Sequence, residues 1–436
     1  MLPTRRCGGA EKNFAFPAVP CRSAKVLRVC VTLGPLLLFF VAAAGAQPDP
    51  RALKICGEAN RIAVELNKIS SLTLRHPVPC DFITKEKINE FLNKRVKEVA
   101  KPEDIRAEEL ALKKFGFVPP DFDLAKNTVD LLTEQAAAFY DYDKKKLFLT
   151  ESTPSDTQEP VLAHELSHAL ADQNFNLAKF IRKGRKSDDG ASARLAVMEG
   201  QATWLMSEFL ARKLGQSLKD SPEMVAMMSG LSESGSGQFP VFENAPLYLR
   251  ITLVFPYTKG MLFQNAVFAR LGQAGFSEVF VRPPVSTQQI LHPEKYFENV
   301  KPATPAVPDP HLPKHYKGLV GGVLGELEHN ILLQPVLGKD QAADLAAHWH
   351  GSSFDLLESR KAGRVVLLYA VEWDSEEAAR RYFKAYRDNL GKKWKQLKVS
   401  AEAEDSVDGN GDDGRFELRR KGAIVTSVEG LDPALH

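Results

Sequence analysis

Apolar residues recur every three to four positions through much of the first 300 residues. In "EKINEFLNKRVKEVA", Ile88, Phe91, Leu92 and Val96 share one helical face, the period by which an amphipathic helix buries one side. The pattern is helical from residue 51 to about 115, and Pro119 with Pro120 ends that region. A helix around "NTVDLLTEQAAA" leads into "AFYDYDKKKLFLT", two short apolar runs about a charged turn, which predicts a β-hairpin. A helix through "LAHELSHALADQ" comes next, then the loop "GRKSDDGAS" and a long helix from about Ala191 to Leu214. The Ser/Gly-rich stretch "SGLSESGSGQFP", residues 229 to 240, predicts a loop, with further helices around "PYTKGMLFQNAVFARLG".

Residues 300 to 316, "VKPATPAVPDPHLPKHY", hold five prolines and mark the best domain boundary. Beyond them the period changes. "RVVLLYAVEW" is a buried-strand pattern, "SEEAARRYFKAYRDNL" an amphipathic helix with an acidic first turn, and "GRFELRRKGAIVTSVEG" a hairpin turning at Lys421 and Gly422. "DGNGDDG", residues 408 to 414, begins like a calcium loop, but Asp413 stands at the glycine position and Arg419 at the final glutamate position, so a solvated hairpin loop is expected.

The chain starts differently. "AKVLRVCVTLGPLLLFFVAAAGAQPDP" runs from basic to apolar to small residues, with Ala44 and Ala46 in an A-x-A arrangement, which predicts a secretory signal cut after Ala46. The competing reading retains the apolar run as a membrane anchor; its length of roughly 18 residues is short for a span, and Gly34 and Pro35 interrupt it. Removing residues 1–46 takes six basic residues and one acidic, leaving 51 basic against 54 acidic and a net charge of −3. That leaves no basic footprint for nucleic acid. Only Cys56 and Cys80 remain, and two cysteines in an exported chain predict one disulfide tying down the N-terminal helices, with two buried free thiols as the alternative.

Candidate chemistry centres on "HELSH". His164 and His168, four residues apart on a helix, sit one turn above each other and can direct their imidazoles at one point. Leu162, Leu166 and Ala169 fall on the opposite side. Glu165 lies beside the histidines, placed to take a proton from a metal-activated water instead of ligating. In "SARLAVMEGQATWLMSEFLARKL", Leu195, Met198, Ala202, Leu205, Met206 and Phe209 form a stripe with Glu199 at its edge. A carboxylate there needs a partner, either zinc as third ligand or a basic side chain. Gly200 and Ala202 are small neighbours that would let this helix approach the histidine helix closely. Asp172, one turn beyond His168, either orients a ligand imidazole or bonds within its own helix end. Tyr257 is a candidate oxyanion donor or a packed core tyrosine. His292 stands near the site or forms a structural corner, and His348 and His350 are expected at the surface.

A glutamate ligand from a second helix resembles the gluzincin group of zinc metallopeptidases. More closely, "HELSHALADQNFNL", "MEGQAT" and "PPVSTQQILHPEKY" occur in the order found in an uncharacterised group of exported prokaryotic proteins, over about residues 130 to 300. Ser167, Asn174 and Asn176 depart from that group's usual Thr, His and Asp. The resemblance implies one zinc per chain at His164, His168 and Glu199, Glu165 as general base, and zinc between two helices. It also implies an antiparallel edge strand beside the substrate, for which "KLFLT" is the candidate.

The expectation is therefore an α+β protein. Residues 1–46 form the signal peptide, 47–300 a mainly helical zincin-like metallopeptidase domain with a small edge-strand sheet, 301–316 a proline-rich linker, and 317–436 a small α+β module. It is exported to the periplasm or the exterior, is not inserted stably in a membrane, and hydrolyses peptide bonds with a zinc-activated water. The rival is a non-catalytic envelope protein with a retained or degenerate zinc site, acting through its C-terminal module.

Overall fold

The computed structural model describes residues 36–38, 56–99, 101–151, 153–231 and 239–434. Most of the expected signal segment and the Ser/Gly-rich loop at 232–238 lie outside the described residues. Among the described residues, no helix is long and apolar enough to cross a membrane.

The architecture is mixed α+β, with two sheets joined by a helical body. Helix α1 (Ala59–Ser70) buries Ile62, Leu66 and Ile69. The Cys56–Cys80 disulfide ties its start to strand β2 (Cys80–Ile83), with the Cα atoms 5.4 Å apart. Closing this short loop restricts the unfolded chain and contributes about 3 kcal/mol. Helix α2 (Lys85–Val99) buries Ile88, Leu92 and Val96, the face its periodicity specifies. Helix α3 (Pro102–Phe115) begins with proline and stops at Gly116, whose φ of 78° gives the left-handed C-cap. Helix α4 (Leu124–Gln135) is capped by Asp123 and leads into the expected hairpin, β3 (Ala136–Asp141) and β4 (Lys146–Thr150). Its turn is held by Asp141 Oδ1, which accepts from the Asp143 and Lys144 amides at 3.0 Å each.

The first sheet has the order β1-β3-β4-β2, where β1 is Leu36–Leu38. This corrects the expectation for "KLFLT". Strand β4 is flanked by β3 on one side and by parallel β2 on the other. It is β3 that carries the outer edge of the domain sheet, and Leu36–Leu38 pair antiparallel along it, Leu36 opposite Phe139 and Leu38 opposite Ala136.

Three helices form the centre: α5 (Ser155–Phe175), α7 (Asp188–Lys213) and α8 (Leu247–Leu271), with the short α6 (Leu177–Gly184) between the first two. Helix α7 packs on both α5 and α8. The close approach expected of Gly200 is made to α8, not to the histidine helix. A Cβ on Gly200 would lie 2.0 Å from the Gly260 carbonyl carbon, and one on Gly260 would lie 2.2 Å from the Ala196 carbonyl oxygen. The two helix backbones touch, and only glycine fits on either side.

The C-terminal module is larger than expected. Strands β5 (Tyr316–Gly322), β6 (Trp349–Ser359), β7 (Val365–Trp373), β8 (Lys398–Ala403), β9 (Ser406–Gly411), β10 (Gly414–Lys421) and β11 (Ile424–Leu431) form one antiparallel sheet of order β5-β6-β7-β11-β10-β9-β8. Helices α9 (Glu326–Leu337) and α10 (Glu376–Lys393) accompany it. The "DGNGDDG" segment forms the β9/β10 hairpin as expected, with Asp412 accepting from the Lys395 and Gln396 amides. The proline-rich stretch is pinned: Ala303 bridges to Gly351, and Gln289 Nε2 donates to the Val300 carbonyl at 2.6 Å. Phe115 of α3 packs edge-on against Phe354 and Tyr369, so one core runs through both regions.

That junction buries four carboxylates. Asp188 and Asp189 begin α7, Glu326 and Glu328 begin α9, and all are at most 7% exposed. Asp189 Oδ1 accepts from the Thr287 amide at 2.8 Å and its hydroxyl at 2.6 Å, while Glu328 accepts from the Gly325 amide at 2.8 Å. Burial, reinforced by the Asp189 charge, pushes the Glu328 carboxyl well above the ordinary carboxylate range. Asp189 is likewise raised, by burial first. His292 on Glu326 and the buried His329 share the surroundings.

Two outcomes are expected. Gly200→Ala should lower unfolding stability by at least about 2 kcal/mol through overpacking, read by chemical denaturation, with Gly260→Ala behaving alike. Glu328 binds a proton in the folded state that the unfolded chain releases near pH 4.5, so its contribution is present at low pH and lost as pH rises through the raised folded value. Relative to Glu328→Gln, the unsubstituted protein should therefore lose about 2 kcal/mol between pH 6 and pH 9, checked by parallel urea titrations.

Candidate metal centre

Helix α5 presents His164 and His168 toward α7, and Glu199 of α7 meets them. All three residues are at most 1% exposed. Glu199 Oε2 lies 3.1 Å from His164 Nε2 and 3.3 Å from His168 Nε2, and the two Nε2 atoms are 3.0 Å apart. One ligand atom from each residue falls within 4.8 Å of the others, the only such group of histidine, cysteine and acidic side chains among the described residues.

The electrostatics suit a cation. Burial raises the Glu199 carboxyl, but His168 and His164 together outweigh it and hold it at about 2, so it is anionic. Burial dominates at His164 and lowers its pKa to about 4, leaving a neutral imidazole at pH 7. At His168 burial is outweighed by the Glu199 charge and hydrogen bond, and its pKa is raised. Glu199 Oε1 and His164 Nδ1 are buried with no hydrogen-bond partner. A buried carboxylate and two imidazoles converging on one point are a nitrogen and oxygen donor set that fits zinc. His164 lacks the outer acceptor that a ligating imidazole usually has.

Glu165 does not join that cluster. It is fully buried, no side chain bonds to either oxygen, and burial pushes its pKa up to about 8, with the neighbouring His168 charge and a weak contact to the Tyr140 backbone opposing the rise. The contact with Tyr140 puts this acid against β3, next to the edge that Leu36–Leu38 occupy.

Tyr257 is brought to the site. Its ring stacks on His164 with centroids 6.0 Å apart, and its hydroxyl bonds to the Glu199 carboxylate. Burial, then the two nearby carboxylates, raise its pKa well above 10, so it remains a donor. The Gly200–Gly260 crossing sets this meeting, since Gly200 follows Glu199 and Gly260 is three residues beyond Tyr257.

Asp172 serves the fold. Its Oδ2 accepts from the Tyr140 hydroxyl at 3.0 Å and from Lys145 Nζ at 2.6 Å, and its Oδ1 from the Leu177 amide at 2.9 Å. These bonds tie the β3/β4 hairpin to the end of α5, and no imidazole is among them. The departures from the resembled pattern also have structural posts. Asn176 takes φ 56° at the end of α5, and its side chain accepts from the Lys179 amide to start α6. Asparagine tolerates that left-handed conformation well. His292 is a corner: it closes one short helix, opens the next, and holds Glu326 at 2.9 Å. His348 and His350 are exposed and paired with Asp374 and Glu372.

Sequence reasoning missed Tyr140, Lys145 and Gly260. Of these only Gly260 had a signal, a lone glycine inside an apolar helical run, which usually has a packing reason.

A family model described as Domain of unknown function (DUF8575) matches residues 265–435. That segment begins within α8, beyond Tyr257, and takes in the proline-rich stretch and the whole seven-stranded sheet, leaving His164, His168 and Glu199 outside it. No curated protein and no solved structure matches the chain.

The expected metal behaviour follows from the donor set. Purified protein should bind one divalent ion per chain, and Glu199→Gln or His168→Ala should weaken binding by more than about 100-fold, beyond the 10–100-fold cost of losing an outer partner. Metal analysis with competitive chelator titration would measure both.

Proposed function

We propose that the chain is a zinc-dependent metallopeptidase of gluzincin type that hydrolyses peptide bonds after export and removal of residues 1–46. One observation carries this reading. A three-residue ligand set is accompanied by a fourth buried acid, Glu165, that lies outside the set and is bonded by no side chain, its one polar neighbour being the Tyr140 backbone. A purely structural zinc is usually closed by four protein ligands, whereas a hydrolytic site keeps one position open. An acid buried at that cost with no side-chain partner has a use other than packing.

His164, His168 and Glu199 would hold the ion, which when bound supplies Lewis-acid polarisation of the peptide carbonyl and an acidified water. The positive charge of the ion would favour the carboxylate form of Glu165, which would then accept a proton as water adds to the carbonyl carbon and return it to the amine nitrogen as the C–N bond breaks. Tyr257, a hydroxyl with its pKa raised well above 10, is the available donor to the oxygen that gains charge. Its bond to Glu199 holds it in place before substrate arrives. The dry surroundings of α5 and α7 strengthen each of these contacts. The outer edge of β3 offers unpaired amides and carbonyls to an extended peptide once residues 1–46 are gone, the mode by which strands add to exposed sheet edges. Peptide is preferred over other amides because of that edge and the resemblance of the three motifs.

The test uses residues 47–436 and a Glu165→Gln variant, both loaded with zinc, on unfolded casein. The variant should keep one zinc and lose cleavage by at least about 10²-fold. Equal cleavage by both proteins would remove Glu165 from the reaction, and absence of cleavage from either would overturn the peptidase reading.

A further inference from the structure

The hairpin turn between β3 and β4 holds a lysine in an unusual place. Lys145 has φ 55°, in the left-handed region where a Cβ crowds the backbone and glycine or asparagine is the ordinary choice. Its side chain crosses to the end of α5, where Nζ lies 2.6 Å from Asp172 Oδ2. The lysine side chain is 55% exposed, while that of Asp172 is fully buried. A surface turn accepts a strained backbone here, and the lysine that does so delivers a cation to an acid in the interior.

The same Asp172 oxygen accepts from the Tyr140 hydroxyl at 3.0 Å. Burial first, and then the Asp172 charge, raise the Tyr140 pKa well above its ordinary value, so the phenol stays a donor. Asp172 Oδ1 accepts from the Leu177 amide at 2.9 Å, which fixes the carboxylate in turn. Lys145, Asp172 and Tyr140 therefore form a bonded chain that runs from solvent into the side of β3.

What the chain reaches is the strand beside Glu165. Asp172 follows Glu165 by seven residues, two turns of α5, so both acids lie on one helix face about 10.5 Å apart along the axis. Tyr140 spans that interval: its hydroxyl meets Asp172 and its backbone meets Glu165. The outer edge of the same strand pairs with Leu36–Leu38, Leu36 standing opposite Phe139, the neighbour of Tyr140. One strand thus joins the edge offered to an extended peptide to the acid assigned to the proton. An apolar contact at this point would serve cohesion equally well. Directional bonds converging on one carboxylate add a fixed position.

We infer that Lys145, Asp172 and Tyr140 are a positioning clamp, which sets the height of β3 along α5 and so the place of an edge-bound peptide relative to Glu165. The inference rests on the peptidase reading for its consequence, and on the hairpin geometry alone for its existence. None of the three residues touches the reacting atoms. Lys145 and Asp172 act through Tyr140, and Tyr140 acts through the strand that carries it.

The test uses zinc-loaded residues 47–436 and the variants Tyr140→Phe, Lys145→Met and Lys145→Arg, at a temperature where circular dichroism shows each to be folded. Amide exchange followed by mass spectrometry reports the clamp without any turnover. Peptides covering β3 should exchange at least about 10-fold faster in Tyr140→Phe and Lys145→Met than in the parent, with β9 and β10 unchanged. Lys145→Arg, which keeps a cation at the turn, should restore the parent rate. Casein cleavage reports the consequence. A displacement of about 1 Å can cost about 100-fold in rate, so kcat should fall by about 10- to 100-fold in the first two variants and recover in Lys145→Arg. KM should change by less than about 3-fold, because the bound peptide travels with the strand, and zinc should stay at one per chain. A merely structural tie would lower the melting temperature and leave the kcat of the folded protein where it was, and that outcome overturns the inference. So does unchanged exchange over β3 in both clamp variants, whatever the catalytic result. Should Tyr140→Phe fail to fold, Lys145→Met, a change on a largely exposed side chain, decides. If the parent cleaves nothing, the peptidase reading falls and the exchange result decides the clamp by itself.

Discussion

The contact between Gly200 and Gly260 is the constraint on which the centre of the molecule depends. Two helix axes approach more closely than side chains allow, because neither residue has a Cβ and the Ala196 carbonyl lies against Gly260. Glycine in a helix interior sacrifices up to about 1 kcal/mol of propensity, and here two are tolerated for one crossing. Its effect is positional. Glu199 precedes one glycine and Tyr257 stands three residues before the other, so the crossing sets the separation between the Glu199 carboxylate and the Tyr257 hydroxyl. A side chain at either position would force the helices apart where Glu199 and Tyr257 meet.

The same tight packing explains why the site is so dry. Leu162, Ala163, Leu166 and Ala169 of α5 are fully buried, as are His164, Glu165 and His168 between them. Neighbouring α7 is buried over most of its length. Polar groups in such a place must pair or suffer the full cost of desolvation. Asp172, in the same helix, pairs three times and serves architecture. Glu165 is bonded by no side chain and meets only the Tyr140 backbone. The contrast between two acids seven residues apart on one helix is that Asp172 is fixed by three bonds to the fold and Glu165 by none from a side chain.

What was legible in the sequence was local. The i, i+4 histidines specify convergence because helix geometry leaves them no alternative, and a glutamate at the edge of an apolar stripe betrays a buried partner. The β3/β4 hairpin, helix α10 and the turn at Lys421 were equally readable from period and turn residues. Long-range pairing was not. "KLFLT" has the alternation of a half-buried strand, yet nothing within those five residues says that β2, some sixty residues earlier, lies along its other side. Gly200 announced a close approach without naming the partner, since any helix could answer it. The size of the C-terminal sheet was underestimated for the same reason: β8 and β9 are short, Gly-containing or exposed, and alternation is weak where only one face is covered.

The junction between the two regions links these points. Helix α7 begins with Asp189 held by Thr287 and reaches Glu199 ten residues later, about 15 Å along a single rigid element. At its start the Gly325 backbone lies so close that a Cβ would fall 2.0 Å from Asp189 Oδ1. Gly325 opens α9, and α9 carries both Glu328, which faces that acid, and Leu327, which lines the cavity beside Glu199 and Tyr257. One short segment of the C-terminal module thus braces the helix that carries Glu199 and lines the space beside it. An independent binding module on a flexible linker would have no reason to bury four carboxylates at its hinge, because each costs desolvation that only a fixed geometry offsets. The proline-rich stretch is better understood as a strap across a permanent interface, and the seven-stranded sheet as part of the structure that holds Glu199 beside His164 and His168.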